Sequence, residues 1–275
     1  MAYLQRGGYS MRDYLKKLGV GTIKGNSLKQ IEELTRAHLH TFPFELISKY
    51  TLADENFKKR IPSVSEFLER HDKLGWGGNC YVLNGRYVQL LDWLGYDVEL
   101  VPVEKGHIAI WLKWKGDEYL VDAGYAGPFF EPIPIKKGNW IVETMYETSY
   151  FERSEDGGIV WTRVLDGGKP LVTKTLYLRK LTREEFNFWL QRSYTDIPEN
   201  RLFRKIEVTW YPNEERHQIM NSTYTVHKPN GEQFEKIYEN REEWIQLIEE
   251  KAGISRVSTE KALSFLSERG VELFT

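Results

Sequence analysis

The chain has 275 residues, enough for one large core or for two or three small packed units. Its 38 basic and 40 acidic side chains leave a net charge of −2, which excludes a broad basic field for nucleic acid or an anionic membrane. No stretch is apolar and long enough to span a bilayer, and residues 1–20 are polar and charged, unlike an export signal; with a single cysteine, a reducing cytoplasm is the expected compartment.

In chain order, the first third reads as helical. Ser10 opens a short helix that stops at Gly19, and Ser27-Leu28-Lys29-Gln30 is a capping-box pattern followed by Ile31, Leu34 and His38 at helical spacing. Pro43 ends that helix. His38 and His40 fall at its C-terminal end, where a positive ring suits the dipole. Ser63-Val64-Ser65-Glu66 starts a further helix that reaches about His71. The clearest helix follows Asn79, with Leu83, Tyr87, Leu90, Leu91 and Leu94 on one face and Gly95 as its stop.

The period then changes to two. Tyr96 to Val103, His107 to Trp114 and Glu118 to Ala123 are predicted strands, with Lys115-Gly116-Asp117 joining the last two. Further strands are expected at Tyr150–Arg153, Gly158–Leu165 and Lys174–Tyr177, making a small antiparallel sheet or barrel. Thr182 opens a helix, strands follow at Lys205–Tyr211 and Thr223–His227, and Asn240 and Ser258 cap two last helices. Helices, then strands, then a mixed region give an α+β class rather than βαβ winding.

Cys80 is the lone cysteine and has no disulfide partner within the chain. Asn79 as N-cap puts it in the first turn of its helix, where unpaired N–H groups favour a thiolate. A thiol nucleophile needs a base and a group that orients the base. His107 heads one strand and Asp122 ends the next, so both fall near one end of a hairpin, in a cysteine-protease-like layout. A symmetric hairpin sets Asp122 opposite roughly Ile110, so a bulge or strong twist is expected to bring it to His107. Each residue also has a plainer reading: a buried inert thiol, a loop histidine beside Gly106, and a turn-forming aspartate before Gly124. No ligand spacing for zinc occurs, and Gly75-Trp76-Gly77-Gly78 lacks the Lys-Ser/Thr of a phosphate loop, so no metal site is expected. The abundant aromatics, with 9 Trp, 16 Tyr and 13 Phe, serve either as core fillers or as the lining of a pocket.

Several segments together resemble the arylamine N-acetyltransferase family. Tyr14-Leu15-Lys16-Lys17-Leu18-Gly19 is similar to its Tyr-Leu-x-Arg-Ile-Gly opening, and Phe42-Pro43-Phe44-Glu45 to its Ile-Pro-Phe-Glu-Asn segment. Gly77-Gly78-Asn79-Cys80-x-x-x-Asn84 is similar to its Arg-Gly-Gly-x-Cys-x-x-x-Asn signature. His107, the run Asp122-Ala123-Gly124-Tyr125 and the segment Glu131-Pro132-Ile133-Pro134 follow in the family's order. The resemblance implies a helical bundle over residues 1–94, a β-barrel over 95–195 and an α/β lid over 196–275. It implies ping-pong acetyl transfer from acetyl-CoA, through Cys80 paired with His107 and Asp122, to an arylamine or hydrazine. By position, Phe44, Tyr125 and Phe203 would line the acceptor pocket, and Ala126 and Gly127 would lie in the loop that meets the phosphates of coenzyme A.

The chain departs from the family at Trp76 (Arg there), Leu46 (Asn), Asn79 (often aromatic) and Ala126 (Gly). These changes bear on acceptor choice, coenzyme A affinity and rate. Two other readings stay open: an amide-cleaving or transglutaminase-like cysteine enzyme, and a catalytically weakened ligand-binding member of the same scaffold. Oligomeric state is not legible.

Overall fold

The computed structural model describes residues 8–21, 27–52, 60–125, 129–144, 146–165 and 168–274. Among the described residues of the first third, five helices occur: α1 (Met11–Lys17), α2 (Leu28–Thr41), α3 (Ile47–Thr51), α4 (Val64–Leu74) and α5 (Cys80–Trp93). The capping boxes at Ser10–Asp13 and Ser63–Glu66 form in full. The one expected at Ser27 forms by half. Ser27 accepts from the Gln30 N–H, but Gln30 Oε1 accepts from the Tyr96 hydroxyl and Tyr96 takes the Ser27 N–H. Helix α4 runs past His71 to Leu74, where Gly75 ends it at φ 71°.

Two histidine expectations need correction. His38 is fully buried with Nε2 2.7 Å from the Tyr14 hydroxyl, and burial holds its pKa down at about 3. Burial also lowers His40. Neither is a cation that complements the dipole of α2.

Eight strands form one antiparallel sheet that curls into a nearly closed barrel. They are β2 (Asp97–Val103), β3 (His107–Trp114), β4 (Asp117–Val121), β5 (Ile133–Pro134), β6 (Trp140–Glu143), β7 (Glu147–Arg153), β8 (Ile159–Leu165) and β9 (Lys169–Leu176), in the order β5-β4-β3-β2-β9-β8-β7-β6. Val101, Ala109, Leu120, Phe151, Trp161 and Leu176 share one buried cluster of the barrel. Ile110, Leu112 and Val121 point the other way and pack with Leu83, Tyr87 and Leu91 of α5. Held between barrel and helices, α5 buries every residue from Cys80 to Tyr87, not one face alone.

A second sheet has the order β1-β10-β11-β12-β13, with β1 (Phe44–Glu45), β10 (Glu207–Trp210), β11 (Arg216–Met220), β12 (Thr223–His227) and β13 (Gln233–Ile237). The pairing of β1 with β10 joins the helical first third to the last. Helices α6 (Arg183–Ser193), α7 (Arg241–Leu247) and α8 (Arg256–Ser267) complete the fold. Ser255, not Ser258, caps α8. No helix among the described residues is long and apolar enough to cross a membrane.

Candidate active site

The segment before α5 is set by close backbone contact. Glu45 N–H donates to the Gly78 carbonyl at 3.0 Å, and a Cβ on Gly77 would lie 1.8 Å from the Pro43 carbonyl oxygen, so only glycine fits there. Asn79 caps the helix, its side-chain oxygen accepting from the N–H groups of Tyr81 (3.1 Å) and Val82 (3.3 Å). Cys80 is therefore the first residue of α5, and it is 9% exposed.

His107 and Asp122 come from the β3–β4 hairpin. Lys115 and Gly116 take φ of 52° and 90°, the two-residue turn whose twist suits a hairpin. The ladder runs regularly, with Trp114 facing Asp117 and Ile110 facing Val121. Continued by one residue, it sets Asp122 across from Ala109, not from Ile110 as expected. Ala109 is two residues from His107 and on the same face, so Asp122 and His107 are diagonal neighbours and need no bulge.

The two side chains meet, with His107 Nε2 2.6 Å from Asp122 Oδ2. Asp122 Oδ1 accepts from Asn84 Nδ2 (2.8 Å) and from the Gly124 N–H (3.0 Å). Asn84 lies one helical turn after Cys80. Its Nδ2 also donates to the Ile108 carbonyl (2.8 Å), and its Oδ1 accepts from the Ala123 N–H (2.9 Å). One amide thus ties the helix that carries the thiol to both strands. A Cβ on Gly124 would fall 2.8 Å from Asn84 Nδ2 and 2.9 Å from Cys80 Cα, so this approach needs glycine too. Tyr81 adds a further tie, its hydroxyl donating to the Gly106 carbonyl at 2.7 Å.

Burial and charge oppose each other here. Burial alone would favour a neutral Asp122, but the charge of His107 and the hydrogen bonds from His107, Asn84 and Gly124 hold its pKa below the usual range. Burial likewise disfavours a charged His107, yet the charge and hydrogen bond of Asp122, with a smaller hydrogen-bonded contribution from Cys80, raise its pKa. With Nε2 on Asp122, Nδ1 is the nitrogen left for the thiol. A thiol, an imidazole and an ionised carboxylate in series can move a proton off sulfur and keep the resulting imidazolium oriented.

Of the expected pocket residues, Tyr125 packs its ring 4.8 Å from that of His107. The Arg163 guanidinium lies 4.2 Å over the Tyr125 ring and is itself paired inside the barrel with Glu147. Phe203 is fully buried in the cluster that holds Cys80, and Phe44 is half-buried against that cluster. Ala126 and Gly127 lie outside the described residues. Tyr81 and Gly106, chain neighbours of Cys80 and His107, line a cleft of about 130 Å³ with Trp189, Asn200 and Leu202. Trp76 is buried and donates its indole N–H to Ser258 Oγ at 2.9 Å, tying the Cys80 segment to α8. Leu46 is buried in the same cluster as Cys80.

Sequence reasoning gave no role to Asn84, Lys49, Glu45 or Lys174. Asn84 was detectable, because an i, i+4 spacing puts it on the Cys80 face of α5. Lys49 and Glu45 are buried, and burial holds the lysine down at about 7 and the glutamate up at about 7. No local pattern marks either as interior.

Residues 27–261 match the N-acetyltransferase family, and the chain belongs to it. Over 154 residues it is 28% identical to proansamycin X synthase of Amycolatopsis mediterranei, and over 141 residues 31% identical to YvcN, an uncharacterized acetyltransferase of Bacillus subtilis. These matches cover 52% and 46% of the chain, and 57% and 54% of the two relatives' own lengths. The fold is that of the arylamine N-acetyltransferases. The Mycobacterium marinum enzyme superposes with a TM-score of 0.80 at 16% identity, covering 94% of this chain and 99% of that one. The same enzyme in complex with CoA gives 0.77 at 16% identity, with 96% and 100% covered.

Proposed function

We propose that this chain is an acetyl-CoA-dependent arylamine or arylhydrazine N-acetyltransferase working through an acetyl-Cys80 intermediate. The observation that carries this is the 2.6 Å His107–Asp122 hydrogen bond at the N-terminus of the Cys80 helix, in a member of the N-acetyltransferase family. His107 Nδ1 takes the thiol proton. The sulfur attacks the thioester carbonyl of acetyl-CoA, and coenzyme A leaves as its thiolate and takes the proton back from His107. The amine nitrogen then attacks acetyl-Cys80 and loses a proton through His107 to the departing Cys80 sulfur. Asp122 stays ionised throughout and holds the Nε2–H. We further assign the acceptor lining to Phe44, Tyr125 and Phe203, the approach to the coenzyme A phosphates to the segment with Ala126 and Gly127, and the compartment to the cytoplasm.

Intact-mass spectrometry after incubation with acetyl-CoA alone tests the route. One acetyl group should appear on the wild type, be absent from Cys80→Ala, and disappear when an arylamine is added. No adduct on a protein whose Cys80 is still alkylated by iodoacetamide would refute acetyl transfer. A second reading keeps the chemistry with a donor longer than acetyl; the same mass assay with longer acyl thioesters decides it.

A further inference from the structure

Cys80 is held in place from two sides. On the barrel side, Asn84 fixes α5 one turn after the thiol. On the other side, the residues that lead into the thiol, 75–79, belong to neither α4 nor α5. One hydrogen bond near the thiol, from the Glu45 N–H to the Gly78 carbonyl, fixes a point on this segment but not its orientation. The second fixed point comes from the far end of the chain. Ser255 N–H donates to the Leu74 carbonyl at 3.0 Å, and a Cβ on Gly75 would fall 1.8 Å from the Gly253 carbonyl oxygen.

Trp76 is where that second hold reaches a side chain. It is buried in the cluster that contains Cys80, Ile254 and Ala262. Its carbonyl accepts from His71 Nδ1 at 3.1 Å, and its indole N–H donates to Ser258 Oγ at 2.9 Å. Burial holds His71 at about 4, so the ring is neutral at neutral pH and carries on Nδ1 the proton this bond needs. Ser258 is buried too, and its Oγ lies 2.8 Å from that of Ser255, the N-cap of α8. The indole is thus bonded to a hydroxyl that the first turn of α8 places. From Trp76 to Cys80 there are three residues, two of them glycines, with Gly78 at φ 138°. Glycine torsions yield first, so a displaced Trp76 turns Asn79, and with it the first turn of α5.

We infer that Trp76 is a positioning residue for acyl transfer: its indole N–H bond to Ser258 sets the direction in which the Cys80 sulfur faces His107. This rests on the proposed reaction through Cys80 and adds to it a residue that touches neither substrate nor the reacting atoms. Trp76 departs from the family signature, so the device belongs to this chain and not to the signature it resembles. The partners of Cys80 stay where they are without it, because His107 is held on the barrel by Asp122. Only the sulfur moves, and a shift of about 1 Å from productive geometry costs up to about a hundredfold in rate.

Alkylation of Cys80 by iodoacetamide, read by mass, tests the alignment without using acyl transfer. The reagent needs a thiolate. At about pH 7 that depends on His107 taking the proton, whereas at about pH 10 an ordinary thiol is ionised unaided. Trp76→Phe keeps an aromatic ring and removes the N–H; Ser258→Ala removes the acceptor. Each should slow alkylation at least about tenfold at about pH 7 and stay within about twofold of wild type at about pH 10. The double variant should fall no further than either single one. Lys49, Lys174, Tyr81 and Tyr194 also lie in the field of Cys80, but they are common to all these proteins and cancel in the ratios. Acetylation by acetyl-CoA should slow by the same factor with an unchanged half-saturating donor concentration. A wild-type alkylation profile in either variant, equal slowing at both pH values, or additive losses in the double variant would each overturn the inference. Each variant reads the bond from its own end, so one that fails to fold leaves the other to decide. Wild-type protein that alkylates normally but never gains an acetyl group would instead strike the transfer reaction.

Discussion

Asn84 carries more of this site than its single amide suggests. In Asn84→Ala three buried hydrogen bonds vanish together: to the Ile108 carbonyl, to Asp122 Oδ1 and from the Ala123 N–H. Asn84 and Asp122 are both fully buried, so water does not readily replace them. About 1 kcal/mol for each neutral bond and about 2 for the one to an ionised carboxylate give a loss of about 4 kcal/mol, a large part of the roughly 5–15 available to a domain. A second effect accompanies it. Asp122 titrates below an ordinary carboxylate, so its contribution to stability is present above the ordinary carboxylate pKa and is lost as pH falls through the folded value. Removing the Asn84 bond raises the folded value, so the contribution of Asp122 shrinks and is exhausted at higher pH. Urea denaturation followed by tryptophan fluorescence, at neutral pH and along an acid series, measures both. A loss under about 1 kcal/mol, or an acid limb identical to wild type, would refute the view that one amide holds helix and hairpin in register.

Three further perturbations separate geometry from charge. Gly124→Ala sets a methyl 2.9 Å from Cys80 Cα, which displaces the first turn of α5; acetylation of Cys80 should slow by about a hundredfold, and a wild-type rate in the mass assay would contradict this. Glu147→Ala strands the Arg163 guanidinium, both side chains being almost fully buried, and should cost about 3–5 kcal/mol in urea denaturation. Arg163→Met with Glu147→Leu should recover most of that loss, and no recovery would show that the pair does more than neutralise itself. Lys49→Met should stabilise the protein. The fall of Lys49 to about 7 means that the unfolded chain binds the extra proton between there and the ordinary lysine range. The gain should be about 4 kcal/mol near neutral pH and shrink towards the packing difference alone as pH climbs to about 10. A gain independent of pH would mean that Lys49 is not buried as an amine.

What was legible in the chain, and what was not, divides by the range of the cause. Cys80 at a helix start follows from Gly77, Gly78 and Asn79 within four residues, and β3 follows from the isoleucine- and tryptophan-rich run between His107 and Trp114; both lie where expected. The partnership of His107 with Asp122 depended on one residue of turn length. Lys115-Gly116-Asp117 read as the loop shifts the ladder by one and turns Asp122 to the wrong face, whereas Lys115 at positive φ lets two residues close the hairpin.

Other features have no local cause at all. Arg216–Met220 is a polar run that becomes a strand because β10 and β12 flank it, and Gln233–Ile237 is an exposed edge with no buried face to pattern it. The two-residue strand Phe44–Glu45 exists because Glu207–Trp210 returns to pair with it from the far end of the chain. That same pairing buries Glu45 of β1 and the start of α3 with Lys49, charged residues that no local pattern marks as interior. The residues that distinguish this site from a bare thiol, imidazole and carboxylate are thus the ones whose environment is made by distant chain.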